Sequence, residues 1–135
     1  MSRITAEQAS KQFNDKGYNI DNLTILRDFL EEYKDDINLE MSIFCDDDYH
    51  HIPNKITCGT SACVLGHSAQ IFEKDAFEGW WNYSNRFFVN GLLENRRDFL
   101  FGNKWPNDVC QAIVRINYVI ENGDCPKNWT YNDRF

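Results

Sequence analysis

The strongest structural signal in the sequence is the run Asn107-Asp-Val-Cys-Gln-Ala-Ile-Val-Arg-Ile-Asn-Tyr-Val-Ile-Glu-Asn-Gly123. Asn107 is a favourable N-cap residue for a helix, and Gly123 is a favourable residue just beyond a helix end. Between them the apolar residues recur at the spacing of one helix face, at Val109, Ala112, Ile113, Ile116, Val119 and Ile120. The run therefore predicts an amphipathic helix that packs its apolar face on a core.

A second amphipathic helix is predicted at residues 21–36. Its apolar stripe has helical spacing and consists of Leu23, Leu26, Leu30 and Tyr33, widened by Ile25 and Phe29. Thr5 and Gln8 have the spacing of a capping box, which predicts a further helix from Thr5 to Gly17. Shorter helices are predicted at residues 61–72, 84–91 and 92–101.

The remaining segments are short. Alternating apolar and polar residues favour a strand at 38–45, and residues 79–84 are interpreted as a loop. The length of 135 residues favours one domain. We therefore predict a mainly α fold, a single compact helical domain with at most one short strand pair. Its parts are an N-terminal helical pair at 1–37, a motif region at 38–123 and a polar tail at 124–135, which we expect Trp129 to anchor.

Composition limits the partners. The chain has 14 basic and 21 acidic residues, a net charge of −7, which argues against direct binding to nucleic acid or an anionic membrane. No apolar run approaches the roughly 18 residues of a membrane span. Five cysteines, an odd number, occur without a secretion signal, so we expect a cytoplasmic protein without a disulfide framework.

The acidity is concentrated in one segment. Residues 21–48 carry ten acidic and two basic side chains, a net charge of −8, and the rest of the chain is close to neutral. One interpretation is a solvated helix face, and a second is a docking surface for a basic partner protein. A third is a cation site at Asp46–Asp48, although these consecutive acids lack EF-hand spacing. The candidate partner-binding residues are Asp28, Glu31, Glu32, Asp35, Asp36, Asp46, Asp47 and Asp48.

The run Cys58-Gly-Thr-Ser-Ala-Cys63-Val-Leu-Gly-His67 is the most distinctive motif. A turn at Cys58 followed by a helix start would lower a thiol pKa and favour a reactive thiolate. Cys63 and His67 are four residues apart, so they lie on one helix face and have the spacing of a nucleophile and its base. A dyad that uses Cys58 would instead need His50 or His51. Cysteine-dependent hydrolysis or group transfer is therefore one hypothesis.

The same segment admits two other interpretations. The first is a tetrahedral zinc site with two cysteine and two histidine ligands. Its ligands would be Cys58, Cys63, His67 and either His51 or His50, although this spacing matches no common zinc module. Alternatively, the cysteines are small buried side chains beside a closely packed helix, and His67 is a hydrogen-bonded core residue.

The motif carries a resemblance. Cys-Gly-Thr-x-x-Cys-x-x-Gly-His at residues 58–67 resembles a motif of small proteins from tailed bacteriophages and some bacteria. The run Leu100-Phe-Gly-Asn-Lys-Trp-Pro-Asn107 and the helix after it are similar to a downstream arrangement in that family. The resemblance covers residues 38–129. It implies a phage-like origin and a soluble domain of the bacterial cytoplasm, and it carries over no catalytic residue.

The functional hypotheses rank as follows. The first is a phage-encoded accessory protein without a complete catalytic set, which inhibits or modifies a host defence or nucleic-acid enzyme through its acidic surface. The second is the cysteine-dependent enzyme. The third is a binder of a small nucleotide signal, with cations near stacking indole rings. Its candidate residues are Arg86, Arg96, Arg97, Lys104, Trp80, Trp81 and Trp105.

Overall fold

A computed structural model describes residues 3–32, 62–91, 93–102, 104–105 and 109–133. Over these ranges the helices are α1 at residues 20–32, α2 (Ala62–Ser68), α3 (Trp80–Phe87), α4 (Glu94–Phe101) and α5 (Val109–Asn122). Two isolated bridges supply β pairing there, one between Ile4 and Phe72 and one between Tyr18 and Val89. The prediction of a mainly α single domain is confirmed.

Helix α5 buries one face in the core, as its spacing predicts. Its buried apolar side chains are at most 5% exposed and comprise Val109, Ala112, Ile113, Ile116 and Val119. Gly123 ends the helix with a φ of 76°, and its N–H donates to the Val119 carbonyl at 2.7 Å. A left-handed residue at this place is the common helix ending that glycine favours. The predicted N-cap, Asn107, lies outside the described residues.

Helix α1 contacts α5, where Arg27 donates to Asn117 at 3.0 Å. Leu23, Leu26 and Leu30 are fully buried. Asn19 caps the helix, because its Oδ1 accepts a 3.0 Å hydrogen bond from the Asn22 N–H. The Asn22 amide donates in turn to the Phe87 carbonyl at 2.8 Å, which fixes the start of α1 against the end of α3. The predicted helix is confirmed up to residue 32. Its continuation to 36 and the predicted strand at 38–45 lie outside the described ranges.

The predicted helix from Thr5 to Gly17 is wrong, although its capping box forms. The Thr5 N–H donates to Gln8 Oε1 at 3.1 Å and the Gln8 N–H donates to Thr5 Oγ1 at 3.2 Å, but the chain completes only one turn. Beyond it, Asn14 Oδ1 accepts the N–H groups of Lys16 and Tyr18 at 3.0 and 2.9 Å. Such side-chain bonds to the backbone compete with helix propagation, so the N-terminal part is not a helical pair.

The predicted loop at 79–84 is also wrong, because α3 begins at Trp80. Trp80, Tyr83 and Phe87 are at most 5% exposed and lie three and four residues apart, which is the spacing of a buried helix face. Ser84, the first residue of the helix predicted at 84–91, lies inside α3 and donates to the Trp81 carbonyl at 2.9 Å. The helices predicted at 61–72 and 92–101 are present as the shorter α2 and α4.

An aromatic cluster anchors the C-terminal segment, as predicted for Trp129. The Trp129 indole stacks on Trp105 with ring centroids 5.3 Å apart, and it contacts Phe99 edge-on with centroids 5.5 Å apart. Tyr131 packs on Trp105 at 4.8 Å. Trp105 Nε1 donates to the Asp98 carbonyl at 2.9 Å, which joins the cluster to α4.

Candidate functional site

The acidic stripe of α1, defined as Asp21, Asp28, Glu31 and Glu32, is the most exposed charged feature of that helix. Asp21, Asp28 and Glu32 lie seven and four residues apart, so they follow one side of the helix, and Glu31 lies beside them. The opposite side carries the fully buried residues Leu23, Leu26 and Leu30. Because the buried face fixes the rotation of the helix, the carboxylates are held toward solvent.

The charge of the acidic stripe is only partly compensated within α1. Residues 20–32 contain four acidic side chains and one basic side chain, Arg27. Arg27 contacts Asp28 at 3.1 Å and also donates to Asn117 on α5 at 3.0 Å. The Asp28 side chain remains 67% exposed in this pair, and exposed ion pairs contribute only about 0–1 kcal/mol. Residues 20–32 therefore carry a formal net charge of −3.

Ile25 is an apolar residue within this polar surface. The sequence pattern places it in the apolar stripe, but its side chain is 39% exposed. It lies four residues after Asp21 and three before Asp28, on the acidic side of the helix. Asp35, Asp36, Asp46, Asp47 and Asp48, the other predicted members of the acidic surface, lie outside the described residues.

His67 of the cysteine motif is a core residue. It is 2% exposed, and the amide nitrogen of Gln70 lies 2.8 Å from its Nδ1. Desolvation by burial lowers the pKa of His67 below its usual value, so the neutral ring is favoured at neutral pH. This environment matches the structural interpretation of the motif, in which His67 is hydrogen-bonded inside the protein.

Most residues of the proposed dyad and zinc site are not among those that the structure describes. The structure does not describe Cys58, His50 or His51. It describes the backbone of Cys63, one turn before His67 in α2, but not the Cys63 side chain. Among the described residues, no group of three or more histidine, cysteine or acidic side chains could hold a metal ion. Both sets of residues therefore stay predictions.

The two cysteines with described side chains differ in environment. Cys110 is exposed on α5, and Cys125 is 9% exposed. Desolvation raises the pKa of Cys125, and the nearby Asp124 carboxylate acts in the same direction. A buried thiol beside a carboxylate is a poor nucleophile at neutral pH.

The tryptophans of the nucleotide hypothesis differ in exposure, and its cations have different neighbours. Trp80 and Trp105 are at most 5% exposed, and only Trp81 of the three is substantially accessible, at 39%. The Arg97 guanidinium lies 4.6 Å from the Trp81 ring. Arg86 pairs with Glu78, Arg96 pairs with Asp124, and Lys104 lies 5.9 Å from the ring of Tyr131.

A shallow cleft of about 370 Å³ lies elsewhere, between residues 13–17 and residues 89–96. It includes Arg96 and Lys16 but no tryptophan. This cleft therefore offers cations without a stacking indole, whereas the accessible Trp81 ring lies beside Arg97 outside it.

No protein-family model, curated protein or solved structure matches the chain. The resemblance to phage proteins stays a similarity of short motifs. Within the described ranges, no helix is long and apolar enough to cross a membrane.

Proposed function

We propose that this protein binds a basic surface of a partner protein through the acidic stripe of α1. The observation that carries the proposal is the exposure of these carboxylates on a helix whose opposite face is fully buried. A helix held in this way presents its charges without further ordering, which lowers the entropic cost of binding. Charge complementarity of this kind speeds association and selects the partner.

The class of partner follows from the same chemistry. Carboxylates along a helix compete with phosphates for lysine and arginine, so a protein with a nucleic-acid groove is a suitable target. The motif resemblance favours a bacterial host protein, such as a defence or nucleic-acid enzyme, as the partner of a phage-encoded inhibitor. The inhibitor would act by covering the basic groove of that enzyme.

The test is a charge reversal with a matched control. The test variant combines Asp28→Lys, Glu31→Lys and Glu32→Lys. The control combines Glu7→Lys, Asp15→Lys and Glu121→Lys, which changes the net charge equally at exposed sites outside α1. Partners captured from bacterial cells by the wild-type chain are purified and titrated by calorimetry with each form.

The proposal expects the test variant to lose binding by about tenfold or more and the control to retain most of it. It also expects the wild-type Kd to rise steeply between about 50 and about 500 mM salt, where the screening length becomes short. Equal binding by both variants would refute the proposal, as would an affinity that salt leaves unchanged.

A further inference from the structure

The turn formed by Asp75, Ala76, Phe77 and Glu78 presents an aromatic side chain to solvent. Phe77 is 97% exposed, whereas the other exposed large apolar residues of the described structure are between 39% and 54% exposed. Partly exposed apolar residues are ordinary on protein surfaces. A fully exposed phenylalanine on a rigid support is a different case, because it keeps its whole apolar area available for a partner.

The turn is held by its own hydrogen bonds. The Asp75 N–H donates to Glu78 Oε1 and the Glu78 N–H donates to the Asp75 carbonyl, both at 3.2 Å. These two bonds close the backbone around Ala76 and Phe77. The geometry of the tip is therefore set before any partner arrives.

The turn is also tied to α3 and to the N-terminal segment. Arg86 of α3 donates to both carboxylate oxygens of Glu78, with distances of 2.7 and 2.7 Å, and also to the Glu73 carbonyl at 3.3 Å. The Glu73 N–H donates to the Ile4 carbonyl at 2.8 Å. Bidentate arginine–carboxylate pairs add geometric restraint as well as energy. Both ends of the turn are consequently fixed, and the Phe77 side chain projects from it.

The charges around the tip define what it fits. Glu73 and Asp75 are exposed on either side of Lys74, whose ammonium lies 4.7 Å from the Trp80 ring and donates to the Asp75 carbonyl. The nearest exposed charges to Phe77 along the chain are thus acidic. This combination is complementary to an apolar pocket with a basic rim, and it is unfavourable for insertion into an anionic membrane.

We infer that Phe77 is an apolar anchor for protein docking, and that it inserts into a partner pocket lined by apolar side chains and rimmed by lysine or arginine. The inference rests on the proposed function for the existence of a protein partner and adds to it a contact that does not depend on charge. Rigid aromatic side chains that fill a pocket are frequent hot spots of interfaces.

The experiment places the photo-crosslinking residue p-benzoylphenylalanine at position 77, with the same residue at exposed Lys11 as the control. The crosslinked protein is purified, and the attachment site on it is mapped by mass spectrometry. Its Kd is then measured for the wild type, for Phe77→Ala, for Phe77→Leu and for the α1 charge-reversal variant. Thermal unfolding of Phe77→Ala checks that the fold is unchanged, as the exposure of this side chain predicts.

The expected result is a crosslink at an apolar pocket bordered by basic residues, obtained from position 77 and not from position 11. Phe77→Ala should weaken binding about 30-fold, equivalent to about 2 kcal/mol, and Phe77→Leu should weaken it less. An unchanged Kd for Phe77→Ala would overturn the inference, even if charge reversal abolishes binding. Loss of binding in Phe77→Ala with none on charge reversal would instead reject the proposed function and retain the anchor. A crosslink to a second copy, or Phe77-dependent binding to phosphatidylcholine vesicles in place of a protein, would also overturn it.

Discussion

Gly17 is a position where a single methyl group should strongly perturb this fold. Its φ is 90°, in the left-handed region, and a Cβ at this place would lie 2.2 Å from the Asn90 carbonyl oxygen. The Asn90 N–H also donates to the Gly17 carbonyl at 2.6 Å, so the two backbones cannot separate without losing this bond. Left-handed strain costs about 1–2 kcal/mol and overpacking about 1–3 kcal/mol. We expect Gly17→Ala to lower the free energy of unfolding by about 2–5 kcal/mol.

The expected change in melting temperature follows from chain length. An unfolding entropy of about 2.1 cal/mol/K per residue over 135 residues converts this loss into a fall of about 7–18 °C. Thermal unfolding followed by circular dichroism measures it, and urea unfolding at 25 °C gives the free energy independently. A Tm within about 2 °C of the wild type would contradict this expectation, because strain and overpacking of this size would lower the Tm further.

Three other glycines separate the two causes. Gly123 has a φ of 76° but ordinary space around a Cβ, so Gly123→Ala should show the strain alone. At Gly102 no positive φ occurs, but a Cβ would lie 2.1 Å from the Tyr131 hydroxyl oxygen and 2.5 Å from the Asp98 carbonyl oxygen. Gly102→Ala should therefore show overpacking alone. Gly91→Ala, with nothing within 4 Å, is the control and should be neutral or slightly stabilising.

Two further predictions concern titratable groups. Burial acts to raise the pKa of Glu78, but hydrogen bonds from Arg86 and the Asp75 backbone hold it below the usual 4.5. The resulting stabilisation is complete above about pH 4.5 and is lost as pH falls through the lower folded-state pKa. Glu78→Gln should therefore lower the free energy of unfolding by roughly 1.5–3 kcal/mol at pH 7 and by less in acid. Urea unfolding of the wild type and Glu78→Gln at several pH values measures this difference, and a difference that does not change with pH would contradict the prediction. Iodoacetamide should label exposed Cys110 faster than buried Cys125 in the native protein at pH 8, as read by mass spectrometry. Equal rates would show that Cys125 is accessible.

The success of the sequence-based prediction depended on whether helical spacing and burial agreed. In α5 and α1 the apolar residues recur every three or four positions, and those in the middle of that face are buried. The spacing therefore predicts which side chains pack in the core. At Thr5 the local cap is correct, but no buried face follows it, and Asn14 supplies alternative backbone bonds. A cap specifies where a helix starts and not whether it continues.

The aromatic segment around α3 shows the opposite error. Trp80, Tyr83 and Phe87 have helical spacing within α3, whereas residues 79–84 are interpreted from the sequence as a loop. Tertiary packing decided this region, because Phe87 and Phe88 contact Phe72, which precedes α3, with ring centroids 5.1 and 5.2 Å apart. Such contacts are not visible in local sequence.

The candidate binding residues show a third limit, which is that composition gives charge but not exposure. The acidic side chains of α1 were identified from sequence, whereas the exposure of Ile25 and Phe77 was not. Phe77 lies in a short turn, where no repeating pattern of apolar residues distinguishes a buried position from an exposed one. The bonds that fix its turn, between Glu78 and Arg86, join residues eight positions apart and follow from the fold.

The two proposed contacts should act on different rate constants, which provides a test beyond affinity. Charges steer the encounter at long range, so reversing the acidic stripe should mainly lower the association rate constant and flatten its dependence on salt. An aromatic ring in a pocket acts only after contact, so Phe77→Ala should mainly raise the dissociation rate constant. Surface plasmon resonance with the purified partner at two salt concentrations separates these effects. If both variants changed only the dissociation rate constant, the acidic stripe would contribute a short-range contact, and steering would be rejected as its role.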